Sequence, residues 1–154
     1  ASVDWLRTRG CTRVLALAPA PGAAIADANI DLLRDACNRA DLALVVSACG
    51  FEESAITDAY VDGIASGCDG VFDMVASQAR LAALASAAGV ATPGAVPTII
   101  YADPRAVPAV GVAVAIVSPN SLGRATAQAV ADYLDAGRSQ AQAVHVPYEL
   151  LTAD

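Results

Sequence analysis

Short apolar runs alternate with amphipathic stretches along the whole chain. The runs lack the strict apolar–polar alternation of a strand with one solvent-exposed face, so they indicate strands that are buried on both faces. We predict these strands at Arg13–Ala18, Leu42–Val46, Gly70–Val75, Thr98–Tyr101 and Val112–Val117, with a last one at Val144–Leu150.

The stretches between the runs place apolar residues three and four positions apart, which is the pattern of amphipathic helices. Strands that alternate with helices predict an α/β fold: a doubly wound, mainly parallel sheet flanked by helices. We predict helices at Ile25–Ala40, Glu53–Ser66, Ser77–Ala88 and Ser121–Ala136, the last capped by Asn120, and the end of another helix at Val3–Arg9.

The composition fits a single globular domain. The chain has 154 residues, of which 56% are apolar and 16% charged, and that balance excludes intrinsic disorder. No apolar run reaches the roughly 18 residues of a membrane span, so no membrane partner is expected. A basic stretch followed by an apolar one is not seen at the start, so no signal peptide is expected.

The charged and sulfur-containing residues narrow the chemistry. The chain has nine arginines, no lysine and sixteen acidic residues, which gives a net charge of −7. This charge makes the chain by itself a poor nucleic-acid binder. The cysteines have no Cys-x-x-Cys spacing and His145 is the lone histidine, so we expect no metal and no cofactor. We expect small buried thiols, which favours the cytoplasm, at Cys11, Cys37, Cys49 and Cys68.

Polar side chains follow the predicted strands where ligands of parallel α/β sheets bind, at the carboxyl ends. Phe51 is the aromatic residue among them. Carboxylates and amides beside an aromatic face suit a sugar. A nucleophile elbow, a phosphate loop and a dinucleotide-binding glycine motif are all missing, so we expect no enzyme. The polar residues are Ser47, Glu52, Asp73, Ser77, Asp103, Arg105, Ser118 and Asn120.

Five short sequence motifs follow one another over nearly the whole chain. They are a Leu-x-x-x-Gly lead into the first strand (Asp4–Val14), a strand entry (Cys68–Phe72), a helix end with a proline turn (Ala88–Val96), a helix opening (Ser118–Ala125) and a closing Val-Pro-Tyr-Glu-Leu-Leu (Val146–Leu151). Together they resemble the effector-binding domain of the lactose/galactose repressor (LacI/GalR) family of bacterial transcription regulators.

The resemblance implies a periplasmic-binding-protein-like fold of type I. In that family two α/β subdomains clasp a small effector, often a sugar or a nucleobase, and homodimers bind operator DNA through a helix-turn-helix domain. Residues 1–154 would be the C-terminal part of the effector-binding and dimerisation domain. The DNA-binding domain and most of the N-terminal subdomain would be absent, and Pro119–Pro147 would normally return to that subdomain.

The resemblance also carries individual ligand contacts onto this sequence. The family's effector arginine falls near Asn29, its Asn-Asp pair on Met74–Val75, and its acid on Ala102 beside Asp103. The aromatic residue that stacks on the ligand falls close to Phe51. Three polar contacts are therefore replaced, which implies an unusual effector or a pocket that does not bind.

From these positions we predict five ligand-binding residues. Asp73 and Asp103 are the leading polar candidates; the alternatives are solvated loop carboxylates or helix caps. Phe51 is a candidate stacking platform; the alternative is an aromatic that covers the core. Asn29 and Ser118 complete the set, although Asn29 could equally be an ordinary helix residue.

A second face is a candidate dimer interface. Ala79, Ala82 and Ala83 are small side chains that allow close approach, and Val107 and Val110 lie in an apolar loop. The resemblance implies that this helix and this loop form the dimer face. The alternative is a helix packed tightly on its own sheet.

Three classes of function compete. The first is the sensing and dimerisation region of a LacI-type regulator, in which a sugar-like effector selects one closure angle and so sets the spacing of the DNA-binding heads. The second is a fragment of a periplasmic sugar-binding protein of a transporter, or a degenerate oligomerisation domain that binds nothing. The third, an enzyme on a similar sheet, has no motif to support it.

Overall fold

One six-stranded sheet organises the molecule. The computed structural model describes residues 2–22, 24–101, 105–117, 119–136 and 148–153. The elements are α1 (Ser2–Thr8), β1 (Arg13–Ala18), α2 (Ala24–Arg39), β2 (Ala43–Ala48), α3 (Glu53–Ala65), β3 (Gly70–Asp73), α4 (Gln78–Ala87), β4 (Thr98–Tyr101), β5 (Val112–Ile116), α5 (Pro119–Ala136) and β6 (Glu149–Leu151). The strand order is β2-β1-β3-β4-β5-β6, with β6 antiparallel to β5 and the others parallel.

Helices cover both faces of this sheet, and each face has its own apolar core. Alternate residues of β1 point to opposite faces: Val14 and Ala16 pack in the core under α1 and α2, whereas Leu15 and Leu17 pack in the core under α3 and α4. The predicted doubly wound, mainly parallel α/β fold is therefore confirmed.

Most predicted elements agree with the structure to within one or two residues, and the exceptions have local causes. The third strand ends at Asp73 and not at Val75, because the Asp73 side chain accepts hydrogen bonds from the next turn of backbone. Asn120 does not cap the last helix, since that helix begins at Pro119. Proline suits the first helical position because its missing N–H has no partner there. Residues 144–147 of the predicted last strand lie outside the described residues.

Strand β2 departs from the prediction of strands buried on both faces. It lies at the edge of the sheet, and its residues are exposed or half-buried, whereas β1 beside it is buried along almost its whole length. An edge strand has a neighbour on one side only, so helices cover it less completely.

The cysteines behave as small apolar side chains, as predicted. Cys11, Cys37 and Cys68 are buried, Cys49 is half-buried, and all four are free thiols. Burial raises the pKa of Cys11 to about 11 and raises the pKa of Cys37 as well, so these thiols stay protonated and unreactive near neutral pH.

Helix α5 differs from the other helices because none of its residues 120–135 is buried. Leu122, Val130, Tyr133 and Leu134 each expose half or more of their surface. An amphipathic helix of 18 residues normally buries its apolar stripe against a neighbour.

Among the described residues, no helix combines the length and the hydropathy that a membrane crossing needs.

Asp69 joins the turn before β3 to the start of β1. Its carboxylate accepts hydrogen bonds from the backbone N–H groups of Thr12 and Arg13, at 2.9 and 2.8 Å, and from the Thr12 hydroxyl at 2.8 Å. Burial works to raise the pKa of Asp69, but these hydrogen bonds outweigh it and hold the pKa below its ordinary value of 3.8.

We expect Asp69→Asn to lower the free energy of unfolding by about 1–2 kcal/mol at neutral pH, since charge-assisted hydrogen bonds become neutral ones. Because the folded-state pKa is depressed, the contribution is complete above the unfolded pKa and is lost as pH falls through the folded pKa. Urea unfolding of both proteins from neutral to acid pH measures this. A difference that stays constant down to about pH 3 contradicts the assignment.

Gly63 brings α3 close to β1. A Cβ atom at this position would lie 2.5 Å from Leu15 Cδ2, and Leu15 is fully buried, so it has little room to move. We expect Gly63→Ala to destabilise the fold by about 1–3 kcal/mol through overpacking.

The matched control is Gly123→Ala in α5, where a Cβ would meet open space. Alanine has the higher helix propensity, so this variant should be neutral or up to about 1 kcal/mol more stable. Thermal and urea unfolding compare the two. Equal effects of both substitutions would show that close packing at Gly63 is not what requires glycine.

Candidate functional site

The carboxyl ends of the parallel strands converge on one edge of the sheet, which we call the carboxyl edge. From β1 the chain passes to β2 on one side and then returns to β3 on the other. The crevice between the ends of β1 and β3 is therefore a topological switch point, where open α/β sheets bind their ligands.

Asp73 is the last residue of β3 and lies at this crevice, fully buried. Its Oδ1 accepts hydrogen bonds from the N–H groups of Val75 and Ala76, at 2.9 and 3.1 Å. The side chain therefore shapes the turn into α4 and is not a solvated loop carboxylate. Its contact with a ligand stays a prediction.

The charge of Asp73 acts on two neighbouring side chains. Burial is the main cause that raises the pKa of Tyr60 to about 12, and Asp73 adds to it. Burial likewise raises the pKa of Cys49, with a smaller contribution from Asp73. The Tyr60 hydroxyl donates to the carbonyl of Ala91 at 2.7 Å. The crevice therefore has a buried carboxylate among protonated, weakly polar groups.

Phe51 lies just beyond β2, and 61% of its surface is exposed. Its ring does not cover the core, which was the alternative interpretation. Its backbone carbonyl accepts a hydrogen bond from Arg80 Nη2 at 2.9 Å, and Arg80 Nε lies 3.4 Å from Glu53 Oε1. An exposed aromatic face is thus presented at the carboxyl edge by a backbone that Arg80 holds.

The candidate dimer residues are accessible. Ala79 and Ala83 are exposed on α4 and Ala82 is half-buried, while Val107 and Val110 expose 67% and 82% of their surface. We call the loop that contains Val107 and Val110 the valine loop. The Val107 N–H donates to Gln78 Oε1 at 2.9 Å, which fixes this loop to α4. The helix and the loop therefore form one continuous exposed surface, and its role in a dimer stays a prediction.

Asn29 lies on α2, beside the carboxyl end of β4. Its Nδ2 donates to the Tyr101 hydroxyl at 2.9 Å, and that hydroxyl donates to the hydroxyl of Tyr148. The rings of Phe72, Tyr101 and Tyr148 contact one another in sequence at tilted angles, with centroids 5.7 and 4.8 Å apart. Burial, followed by the Tyr148 hydroxyl, raises the pKa of Tyr101, so this phenol remains neutral.

This tyrosine pair was not predicted as functional from the sequence. Tyr101 ends β4 and Tyr148 precedes β6, and an aromatic at the end of a strand is a weak signal by itself. The pair borders a groove of about 540 Å³ that runs along α2 and includes Asn29 but neither Phe51 nor Asp73. The groove is lined by Ser2, Val3, Asp4, Arg7, Asn29, Leu32, Leu33, Ala36, Arg39, Ala40, Phe72, Tyr101, Ala115 and Tyr148.

The other two predicted ligand residues, Asp103 and Ser118, lie outside the described residues. Within the part of the chain that is described, histidine, cysteine and acidic side chains form no group of three that could hold a metal ion. Phe51 and Asp73 therefore lie at the carboxyl edge, with Arg80 as a support that the sequence did not reveal. Asn29 lies at the same edge, since it is hydrogen-bonded to Tyr101, the last residue of β4.

No family model matches the chain, and no curated protein matches it. Solved structures do match. The probable maltose operon repressor MalR of Staphylococcus aureus is 12% identical with a TM-score of 0.71, and the match covers 97% of this chain and 56% of that one. A LacI-family regulator from Enterococcus faecium, solved with bound ribose, is 16% identical with a TM-score of 0.69, covering 98% and 59%.

A periplasmic ribose transporter protein from Conexibacter woesei is also similar, with 12% identity, a TM-score of 0.66 and coverage of 99% and 57%. The chain thus spans little more than half the length of these proteins. It has the fold of the effector-binding domain of LacI-type regulators, which confirms the fold that the sequence resemblance implied. These neighbours are regulators and binding proteins.

Proposed function

We propose that this chain is the effector-sensing and dimerisation region of a LacI-type bacterial transcription regulator. A small effector, sugar-like or related, binds at the carboxyl edge, and the chain performs no catalysis. The observation that carries the proposal is the placement of an exposed aromatic, Phe51, and a buried carboxylate, Asp73, at the switch point of this particular fold. The regulator acts in the cytoplasm.

We infer that the other half of the effector site comes from an N-terminal subdomain outside these 154 residues. Helix α5 supports this inference, since its apolar residues have no cover within the described part of the chain. A helix that returns to a second subdomain would bury them there. The match covers only 56% and 59% of the two solved chains, and their remaining length leaves room for that subdomain.

The mechanism is a population shift between open and closed arrangements of the two subdomains. An effector that touches both subdomains binds the closed arrangement more tightly, and it shifts the equilibrium by its difference in affinity for the two. Closure changes the separation of the two DNA-binding heads of a dimer, which sets whether they fit both half-sites of the operator. This chain would contact operator DNA only through those heads.

The partner for the surface formed by α4 and the valine loop is a second copy of the chain. Val107 and Val110 expose 67% and 82% of their surface, and the small alanines of α4 allow two helices to approach closely. An isologous contact of this kind gives the two-fold symmetry that paired operator half-sites require.

Effector binding is tested on the full-length regulator. Pentoses, hexoses, disaccharides and nucleobases are screened by thermal shift, with D-ribose as the first probe, and affinities are then measured by calorimetry. We expect Phe51→Ala to weaken binding about tenfold, because a stacked aromatic contributes on the order of 1 kcal/mol or more. Asp73→Asn keeps the turn's hydrogen-bond acceptor and removes the charge, and it should also weaken binding, as should Asp103→Ala.

Asp62→Ala is the control, since Asp62 is an exposed carboxylate near the C-terminal end of α3, away from the carboxyl edge. It should leave the affinity unchanged. Unaltered affinity in all three test variants removes this site assignment. If no probe stabilises the unaltered regulator, the degenerate, non-binding domain is the better description.

Dimerisation is tested by placing a charge at the tip of the valine loop. Val110→Arg should weaken self-association at least tenfold, since an unpaired charge would be buried between the copies. Ala43→Arg, on the exposed edge strand β2, is the control and should change nothing. Sedimentation velocity over a range of concentrations measures both. A dimer that is unaffected by Val110→Arg must use another surface.

A further inference from the structure

The first turn of α4 is bonded to two separate loops at the carboxyl edge. The Ser77 hydroxyl caps this turn by accepting from the backbone N–H of Arg80 at 3.3 Å. The Arg80 guanidinium then donates to the carbonyl of Phe51, and the Gln78 side chain accepts from the N–H of Val107, each at 2.9 Å. One helical turn thus holds both the loop of the candidate effector site and the loop of the candidate dimer face.

The bond from Arg80 governs where the ring of Phe51 can lie. Because most of this side chain is exposed, packing restrains it little, and the position of the main chain sets the direction of the Cα–Cβ bond from which the ring extends. Glu53, the first residue of α3, forms an ion pair with the same guanidinium, with 3.4 Å between Glu53 Oε1 and Arg80 Nε. The rigid, planar guanidinium keeps this geometry better than a flexible ammonium group would.

The same turn carries an exposed residue of the candidate dimer face. Ala79 lies between Gln78 and Arg80, so a second copy that packs on Ala79 acts on the turn that holds both loops. The other end of the turn is fixed, because Asp73 binds the backbone of Val75 and Ala76 just before the Ser77 cap. We expect a small displacement of the turn to be transmitted to Phe51 and to Val107 through these two hydrogen bonds.

We propose that Arg80 is a positioning residue that couples the dimer face of α4 to the aromatic face of the effector site. The inference rests on the proposed function, and it adds that effector affinity depends on dimerisation. By linkage, the effector changes the dimer dissociation constant by the same factor. The coupling passes through the hydrogen bond from Arg80 to the Phe51 carbonyl.

Fluorine NMR tests this coupling without any effector. The chain has two phenylalanines, so labelling with 4-fluorophenylalanine gives one signal from Phe51 and one from the buried Phe72, which serves as the internal control. Sedimentation on the same samples gives the fraction of dimer. We expect the Phe51 signal to shift as dilution converts dimer to monomer, and the Phe72 signal to stay in place.

Three variants locate the pathway. Arg80→Met keeps the length of the side chain and removes the guanidinium, so the concentration-dependent shift of Phe51 should be lost while the dimer persists. Arg80→Lys can still donate one hydrogen bond and should restore part of the shift, which also covers the case in which Arg80→Met folds poorly. Arg34→Met removes an exposed arginine paired with Asp31 on α2, and it should leave the shift intact.

A Phe51 signal that is identical in monomer and dimer overturns the coupling, and so does a shift that survives in both Arg80 variants. Either result leaves the proposed sensing function in place, because that function is judged by effector binding. A chain that sediments as a monomer at every concentration instead contradicts the proposed dimer, and the coupling fails with it.

Discussion

The central strand β3 has an aspartate at each end, and the carboxylate of each one accepts hydrogen bonds from main-chain N–H groups. Asp69 binds the start of β1 before the strand begins, and Asp73 binds the turn that follows it. Between them the strand lies at the point where the strand order reverses, so its position sets both the register of the sheet and the geometry of the crevice. The start of α4, and with it Arg80, Gln78 and the two loops they hold, follows from the Asp73 turn.

Much apolar surface is left uncovered outside this well-packed centre. The stripe on α5 and the tip of the valine loop are exposed, whereas the strands beneath are buried on both faces. Contiguous exposed apolar patches commonly mark interaction sites. The proposed second subdomain over α5 and the proposed second copy on α4 would cover these surfaces, and both are features of the regulator that the resemblance implied.

The sequence predicted the sheet well, because strands buried on both faces leave continuous apolar runs that cannot be mistaken for amphipathic helices. The bounds of β1 and β4 agree with the prediction to the residue. The end of β3 did not, since Val75 continues the apolar run and only the Asp73 side chain stops the strand. Phe51 was predicted from its place after a strand.

The contacts around the candidate sites could not be predicted. The hydrogen bond between Arg80 and Phe51 joins residues 29 positions apart, and that between Tyr101 and Tyr148 joins residues 47 positions apart. Periodicity has no signal for such contacts.

The most direct test of the central claim is to determine the protein segment encoded immediately before Ala1 in the parent reading frame. The regulator account predicts a helix-turn-helix followed by about a hundred residues of α/β pattern, enough for the proposed subdomain by ordinary domain sizes. A secretory or lipoprotein leader followed by that subdomain would identify the sugar-binding protein of a transporter. A start codon directly before these residues would contradict the account, since the surface of α5 would then have no subdomain to cover it.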